Sequence, residues 1–101
     1  MLLNIDRKSN LPDTITDVTN IYEQLVFDHL LKVGADLSVE AQADAGCIAL
    51  NRLPSKYVRH AVDWMFFATP TQLDRINRAV DMAVTNAIAK VLDNPPLDEV
   101  G

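Results

Sequence analysis

The sequence has little cysteine, little glycine and no long hydrophobic run. Cys47 is the one cysteine in 101 residues, which excludes an intramolecular disulfide and a zinc site built on a cysteine pair. Its apolar neighbours predict a buried, unreactive thiol. The longest apolar stretch, residues 61–68, contains an aspartate and is far shorter than the ~20 residues of a membrane span. The first ten residues do not resemble a secretory signal, so we expect a cytoplasmic protein that does not bind membranes.

Catalytic motifs are missing as well. The sequence contains no P-loop, no Gly-x-Ser-x-Gly and no His-Glu-x-x-His. His29 and His60 have no evident partner for metal binding or catalysis, and the scattered aspartates are typical of an acidic surface. We therefore do not expect an enzyme.

The composition indicates a single folded domain. Hydrophobic residues make up 49% of the chain and charged residues 23%, which is too apolar for a disordered protein. We expect a flexible N-terminus over residues 1–16, a helical domain over 17–96 and a C-terminal tail over 97–101. Because glycine is scarce and strand-like alternation is hard to find, the predicted fold class is all-α.

Helical periodicity marks two segments in the first half of the chain. Apolar residues recur at spacings of three and four from position 19 to 33, and Gly34 follows as the predicted C-cap. Ser38 is the predicted N-cap of a second helix that Pro54 ends. Gly46 lies inside this second helix, which predicts that a neighbouring backbone approaches closely there.

The last helix has the clearest signature. Thr69 is the predicted N-cap, Pro70 occupies the first helical position, and Gln72 completes a capping box. An apolar stripe follows at helical spacing: Leu73, Ile76, Val80, Val84, Ile88 and Val91. A helix of about 35 Å needs more partner surface than two shorter helices readily provide. We therefore predict a homodimer with this long C-terminal helix at the interface.

The segment between these helices contains a cluster of large apolar residues, Trp64 to Phe67. A helix, a short extended segment and an interface plug are all compatible with its sequence. Packing in the core or in a dimer interface is the simpler interpretation, and stacking on a ligand is the alternative.

Positive charge is concentrated in one part of an acidic chain. The net charge is −5, but residues 46–80 carry five basic and two acidic side chains, a local sum of +3, against −8 elsewhere. This distribution does not favour long DNA or RNA, which requires a broad basic face. Arginine forks, the flat ring of Tyr57 and the amide of Asn51 suit a small nucleotide anion. The alternative is a solvated turn whose cations favour the C-terminus of a helix.

Three segments of the chain resemble the ComFB family, named for late competence development. "IYEQLV" at 21–26 is similar to the family's opening helix, and "ALNRLPSKYV" at 49–58 is similar to its central signature. The final helix ending in "VLDNPP" at 91–96 resembles the family's last helix and its Asn-Pro stop. The resemblance covers about residues 19–96.

The resemblance implies a small helical homodimer that acts as a receptor for the cyclic dinucleotides c-di-GMP or c-di-AMP, with outputs in motility, competence or biofilm formation. The ligand-binding candidates that it gives are Asn51, Arg52, Lys56, Tyr57 and Arg59. The two arginines would bind phosphate or purine, the lysine would act as a point charge, and the tyrosine would stack or hydrogen-bond. Asn51 would read a base or only cap the helix end, and Tyr57 would otherwise only pack the turn.

Two departures from the family pattern limit this inference. The founding members have zinc-binding cysteines before the signature, whereas "GADLSVEAQADAG" has none, so we predict no zinc. The signature reads Pro-Ser where the family usually has Pro-Pro, and the aromatic cluster is less typical. The competing hypothesis is a protein-interaction adaptor that acts through Trp64 to Phe67 without nucleotide binding.

Overall fold

A computed structural model describes residues 17–94, so the predicted N-terminus and C-terminal tail lie outside the described residues. The described elements, in chain order, are β1 (Val18–Asn20), α1 (Ile21–Val33), α2 (Val39–Arg52), β2 (Tyr57–Arg59), α3 (Ala61–Phe67) and α4 (Pro70–Asp93). Most of these residues are helical, which confirms the all-α prediction, with one small sheet in addition. Over residues 17–94, no helix combines the length and apolar character of a membrane span.

The helix ends follow the predicted caps. The Ser38 hydroxyl accepts a hydrogen bond from the Ala41 N–H at 3.0 Å and starts α2. The Gly34 N–H donates to the Leu30 carbonyl at 2.7 Å and ends α1. At the start of α4, Thr69 and Gln72 form both hydrogen bonds of a capping box. Local capping chemistry therefore determines the ends of these helices.

The core lies where α1, α2 and α4 meet. Its fully or nearly fully buried residues are Ile21, Tyr22, Val26, Leu30, Ala41, Ala45, Ala49, Ile76, Val80, Ala83, Val84, Ala87 and Val91. Alanines on both α2 and α4 allow these two helices to pack closely, and their contact is the most extensive between elements. The apolar stripe of α4 is thus buried largely within one chain. The premise that this stripe lacks partner surface is wrong, and a homodimer does not follow from it.

The two short strands were not predicted from the sequence. β1 and β2 pair antiparallel, with Val18 opposite Arg59, Thr19 opposite Val58 and Asn20 opposite Tyr57. Three residues are too few to show alternation in a sequence. The helical pattern was predicted to start at position 19. The helix instead begins at Ile21, because Thr19 and Asn20 belong to β1.

The aromatic cluster forms the short helix α3. His60 precedes it in the left-handed region, with φ of 59° and ψ of 70°, and redirects the chain from β2 into the helix. Trp64 is half-buried, but Phe66 and Phe67 are 74% and 80% exposed. These two phenylalanines therefore do not pack in the core of the single chain.

Gly46 contacts a side chain rather than the neighbouring backbone that the sequence predicted. A Cβ at this position would lie 2.6 Å from Cζ of Phe27 and closer still to Cε1. The ring of Phe27 in α1 therefore packs directly on the backbone of α2, and the missing Cβ makes the space for it.

We expect Gly46→Ala to lower the free energy of unfolding by about 1 kcal/mol in the natural chain, because the overlap with Phe27 outweighs the gain in helix propensity. In a Phe27→Ala background the same substitution is expected to raise it by about 1 kcal/mol, since the overlap is gone. Urea denaturation of the four proteins measures this coupling. Equal effects in both backgrounds would show that the ring does not constrain position 46.

Candidate ligand-binding turn

The five predicted site residues lie between the last turn of α2 and the end of β2, and Lys56 lies in the connection that joins these two elements. Asn51 and Arg52 form the last turn of α2, Pro54 prevents its continuation, and the chain then enters β2. Residues 51–59 are called the basic turn below. All five candidate side chains are exposed.

Asn51 is engaged by its own helix. Its Nδ2 donates to the Cys47 carbonyl at 3.0 Å and lies 3.6 Å from the Cys47 sulfur. The amide therefore bonds back to a carbonyl one turn earlier in α2, outside the four carbonyls that a helix end leaves unpaired, so its part in capping or in reading a base stays a prediction. Cys47 itself is exposed, so the prediction of a buried thiol was wrong. The buried positions of α2 are Ala41, Ala45, Gly46 and Ala49, and Cys47 points away from that face.

Lys56 is fixed by hydrogen bonds of its backbone. Its N–H donates to Oδ1 of Asn20 at 3.0 Å, and its carbonyl accepts from the Ile21 N–H at 3.0 Å. Its ammonium lies 5.3 Å from the centroid of the Trp64 ring, a distance at which a cation is attracted to the aromatic face. The basic turn is thereby joined to the start of α1 and to α3.

Sequence reasoning missed Asn20 and did not connect Trp64 with the basic turn. Asn20 also accepts from the Tyr22 N–H at 3.2 Å as the N-cap of α1. An asparagine directly before a helical apolar pattern was a visible cap signal. Nothing local in the sequence indicated its second bond, which joins positions 20 and 56.

Tyr57 and Arg59 lie on the same face of β2. They are exposed, whereas Val58 between them is half-buried, as expected for alternating residues of a strand. Two residues of strand separate their Cα atoms by roughly 6.6 Å. The ring of Tyr57 and the guanidinium of Arg59 are therefore presented to solvent side by side.

The arginines of the basic turn have no carboxylate partner among the described residues. Within residues 17–94, neither Arg52 nor Arg59 forms an ion pair, whereas Arg78 pairs with Asp74 at 3.0 Å. The turn therefore combines two unpaired guanidinium groups and an ammonium with two exposed or half-buried aromatic rings. This set can bind an anion that also has a flat ring system.

The two histidines make contacts outside the basic turn or at its edge. His29 Nε2 lies 3.0 Å from Asp81 Oδ1 and links α1 to α4, while His60 Nδ1 lies 3.8 Å from Asp17 Oδ2. In the described part of the chain, no three His, Cys, Asp or Glu side chains are grouped to hold a metal ion. The residues present thus do not suit the zinc of the founding family members, and its absence from the protein stays a prediction.

A cavity lies beside the basic turn, and its lining residue Asn20 accepts a hydrogen bond from the Lys56 N–H. The cavity has a volume of about 530 Å³ and lies between the start of α1 and α3. Its lining residues are Thr19, Asn20, Ile21, Glu23, Gln24, Leu25, Asp28, Ala61, Val62 and Met65. This cavity, the α1–α3 groove, contains none of the five candidates. The basic turn itself is an open surface.

Comparison with known families agrees with the resemblance found in the sequence. The family model described as "Late competence development protein ComFB" matches residues 19–95. Comparisons with curated proteins and with solved structures found no match. The matched segment runs from β1 to just beyond α4 and includes the whole basic turn. Because the match covers most of the chain, the protein belongs to the ComFB family.

Proposed function

We propose that this protein is a non-catalytic receptor for a cyclic dinucleotide, which it binds at the basic turn. The observation that carries the proposal is that Arg52 and Arg59, beside the exposed ring of Tyr57, form no ion pair within residues 17–94. Family membership supports a role related to late competence, and the second messenger would connect that role to motility or biofilm decisions.

Each side chain of the basic turn has a matching group on the ligand. A cyclic dinucleotide has two phosphodiester charges and two purines. Arg52 and Arg59 suit a phosphate or the edge of a purine, because a guanidinium binds either through two parallel hydrogen bonds. Lys56 supplies a point charge beside Trp64, and Tyr57 supplies a stacking surface. Asn51, whose amide donates within α2, would hold the helix end beneath them.

We favour c-di-GMP over c-di-AMP. The Hoogsteen edge of guanine offers two acceptors, O6 and N7, that an arginine fork matches, whereas adenine presents a donor beside its acceptor. The basic turn contributes two exposed arginines and only one of its candidates, Asn51, pairs well with adenine.

We also propose that the receptor is a cytoplasmic homodimer that uses neither zinc nor catalysis. An open turn on one chain covers one side of a ligand, and a second copy would supply the other side. Exposed apolar side chains remain available for association, including Leu31, Val39 and Met82, which are 60%, 76% and 65% exposed. Analytical ultracentrifugation tests whether the protein is a homodimer. Elemental analysis of chelator-washed protein tests whether it contains zinc.

Isothermal titration tests the receptor proposal. We expect saturable binding of c-di-GMP, weaker or no binding of c-di-AMP, and no comparable binding of GMP, which has one guanine and one phosphate. Arg52→Ala and Arg59→Ala are each expected to weaken binding at least tenfold, because each removes charge-assisted hydrogen bonds.

Arg78→Ala is the matched control, because Arg78 is an exposed arginine that already pairs with Asp74. It is expected to bind like the natural protein. The proposal would be rejected if neither dinucleotide bound. It would also be rejected if Arg52→Ala and Arg59→Ala bound the dinucleotide with the same affinity as Arg78→Ala.

A further inference from the structure

The α1–α3 groove has an apolar floor. Leu25 from α1 and Ala61, Val62 and Met65 from α3 line it, and Val62 is 82% exposed. The exposed rings of Phe66 and Phe67 belong to the same short helix, with centroids 5.1 Å apart. Exposed apolar surface of this kind on a small domain is a common mark of an interaction site.

Among residues 17–94, the charged residues of the groove are all acidic. Glu23 and Asp28 line it, and no lysine or arginine of that range does. Nε2 of Gln24 donates to both carboxylate oxygens of Asp28, at 3.1 and 3.2 Å, and so holds that carboxylate in place. Neither carboxylate is paired with a cation within residues 17–94. The groove therefore repels a dinucleotide anion and attracts a cation.

We propose that the α1–α3 groove docks a basic amphipathic helix of a partner protein. The apolar side chains of that helix would lie on Leu25, Val62 and Met65, and its lysines or arginines would face Glu23 and Asp28. A helix with apolar residues at positions i, i+3, i+4 and i+7 is the usual occupant of such a groove. Met65 adapts to different apolar partners, since its thioether side chain is flexible. The groove adjoins the basic turn through Asn20 but contains none of the five ligand-binding candidates, so the inference does not depend on nucleotide binding.

The probe is a fluorescein-labelled 14-residue helix of leucine and lysine, with leucines on one face. A second peptide replaces every lysine with glutamate. Fluorescence anisotropy measures binding to the full chain without nucleotide, and amide shifts in ¹⁵N-labelled protein locate it. We expect the basic peptide to bind and to shift amides at residues 19–28 and 61–65, and the acidic peptide to bind at least tenfold more weakly.

Two pairs of variants separate the groove from general attraction to an acidic protein. Glu23→Lys is expected to weaken binding about tenfold, and Glu40→Lys, which changes the same charge in the first turn of α2, is expected to leave it unchanged. Val62→Asp should likewise weaken it about tenfold, and Met82→Asp, at an exposed apolar residue of α4, should not. All four side chains are exposed, so these variants are expected to fold.

Several outcomes would overturn the proposal. One is the failure of the basic peptide to bind at 100 µM, and another is equal binding of the acidic peptide. If both variants of each pair lost peptide affinity equally, the peptide would be attracted only by the net charge of the protein. If Val62→Asp instead abolishes a concentration-dependent dimer of the protein alone, then a second copy of this chain occupies the groove.

Discussion

Leu30→Ala is expected to lower the free energy of unfolding by about 3 kcal/mol. Leu30 lies in the third turn of α1 with 1% of its surface exposed, and it is among the largest fully buried side chains of the core. Its removal leaves a cavity where α1 faces α2 and α4. Because a domain of this size is stabilised by roughly 5–15 kcal/mol, this one substitution removes a large part of the total.

Leu31→Ala is the matched control for that substitution. Leu31 is the next residue of the same helix and is 60% exposed. Its replacement by alanine changes the helix propensity by the same amount as Leu30→Ala does. We expect a loss of less than about 1 kcal/mol. Urea denaturation followed by far-UV circular dichroism measures both variants. Losses of equal size would show that α1 does not direct Leu30 into the core and Leu31 outward.

The sequence was informative where local chemistry determines structure. Gly34, Ser38 and Thr69 are caps that act on residues three or four positions away, so the end of α1 and the starts of α2 and α4 were readable from short segments. The central signature was likewise readable because its residues are contiguous. The structure places all five candidates between the last turn of α2 and the end of β2, and their part in binding stays a prediction.

What the sequence did not reveal depends on contacts between distant positions. The pairing of β1 with β2, the ring of Phe27 on Gly46, and Lys56 beside Trp64 join positions that only the fold brings together. The burial of the α4 stripe was also misjudged. Alanines on α2 allow an approach close enough to cover it within one chain, and a count of apolar residues on α4 alone does not show this.

Asn20→Ala is expected to lower the free energy of unfolding by about 2 kcal/mol, because one oxygen serves two donors. Oδ1 accepts from the Tyr22 N–H as the cap of α1 and from the Lys56 N–H of the basic turn. Loss of a cap costs about 1 kcal/mol, and loss of the second bond costs a similar amount. We also expect faster hydrogen exchange at the Lys56 amide, measured by NMR, since that amide loses its acceptor.

Asn20→Asp is the control, because a carboxylate keeps an oxygen acceptor at the same place and is favourable at a helix N-terminus. Its stability and its Lys56 exchange rate are expected to stay close to those of the natural protein. If Asn20→Ala and Asn20→Asp change the exchange rate of the Lys56 amide by the same amount, the hydrogen bond to Oδ1 does not hold the basic turn. If only alanine releases the Lys56 amide, then the cap of α1 also positions the basic turn. A substitution outside the five candidates would then weaken dinucleotide binding by loosening the surface that presents them.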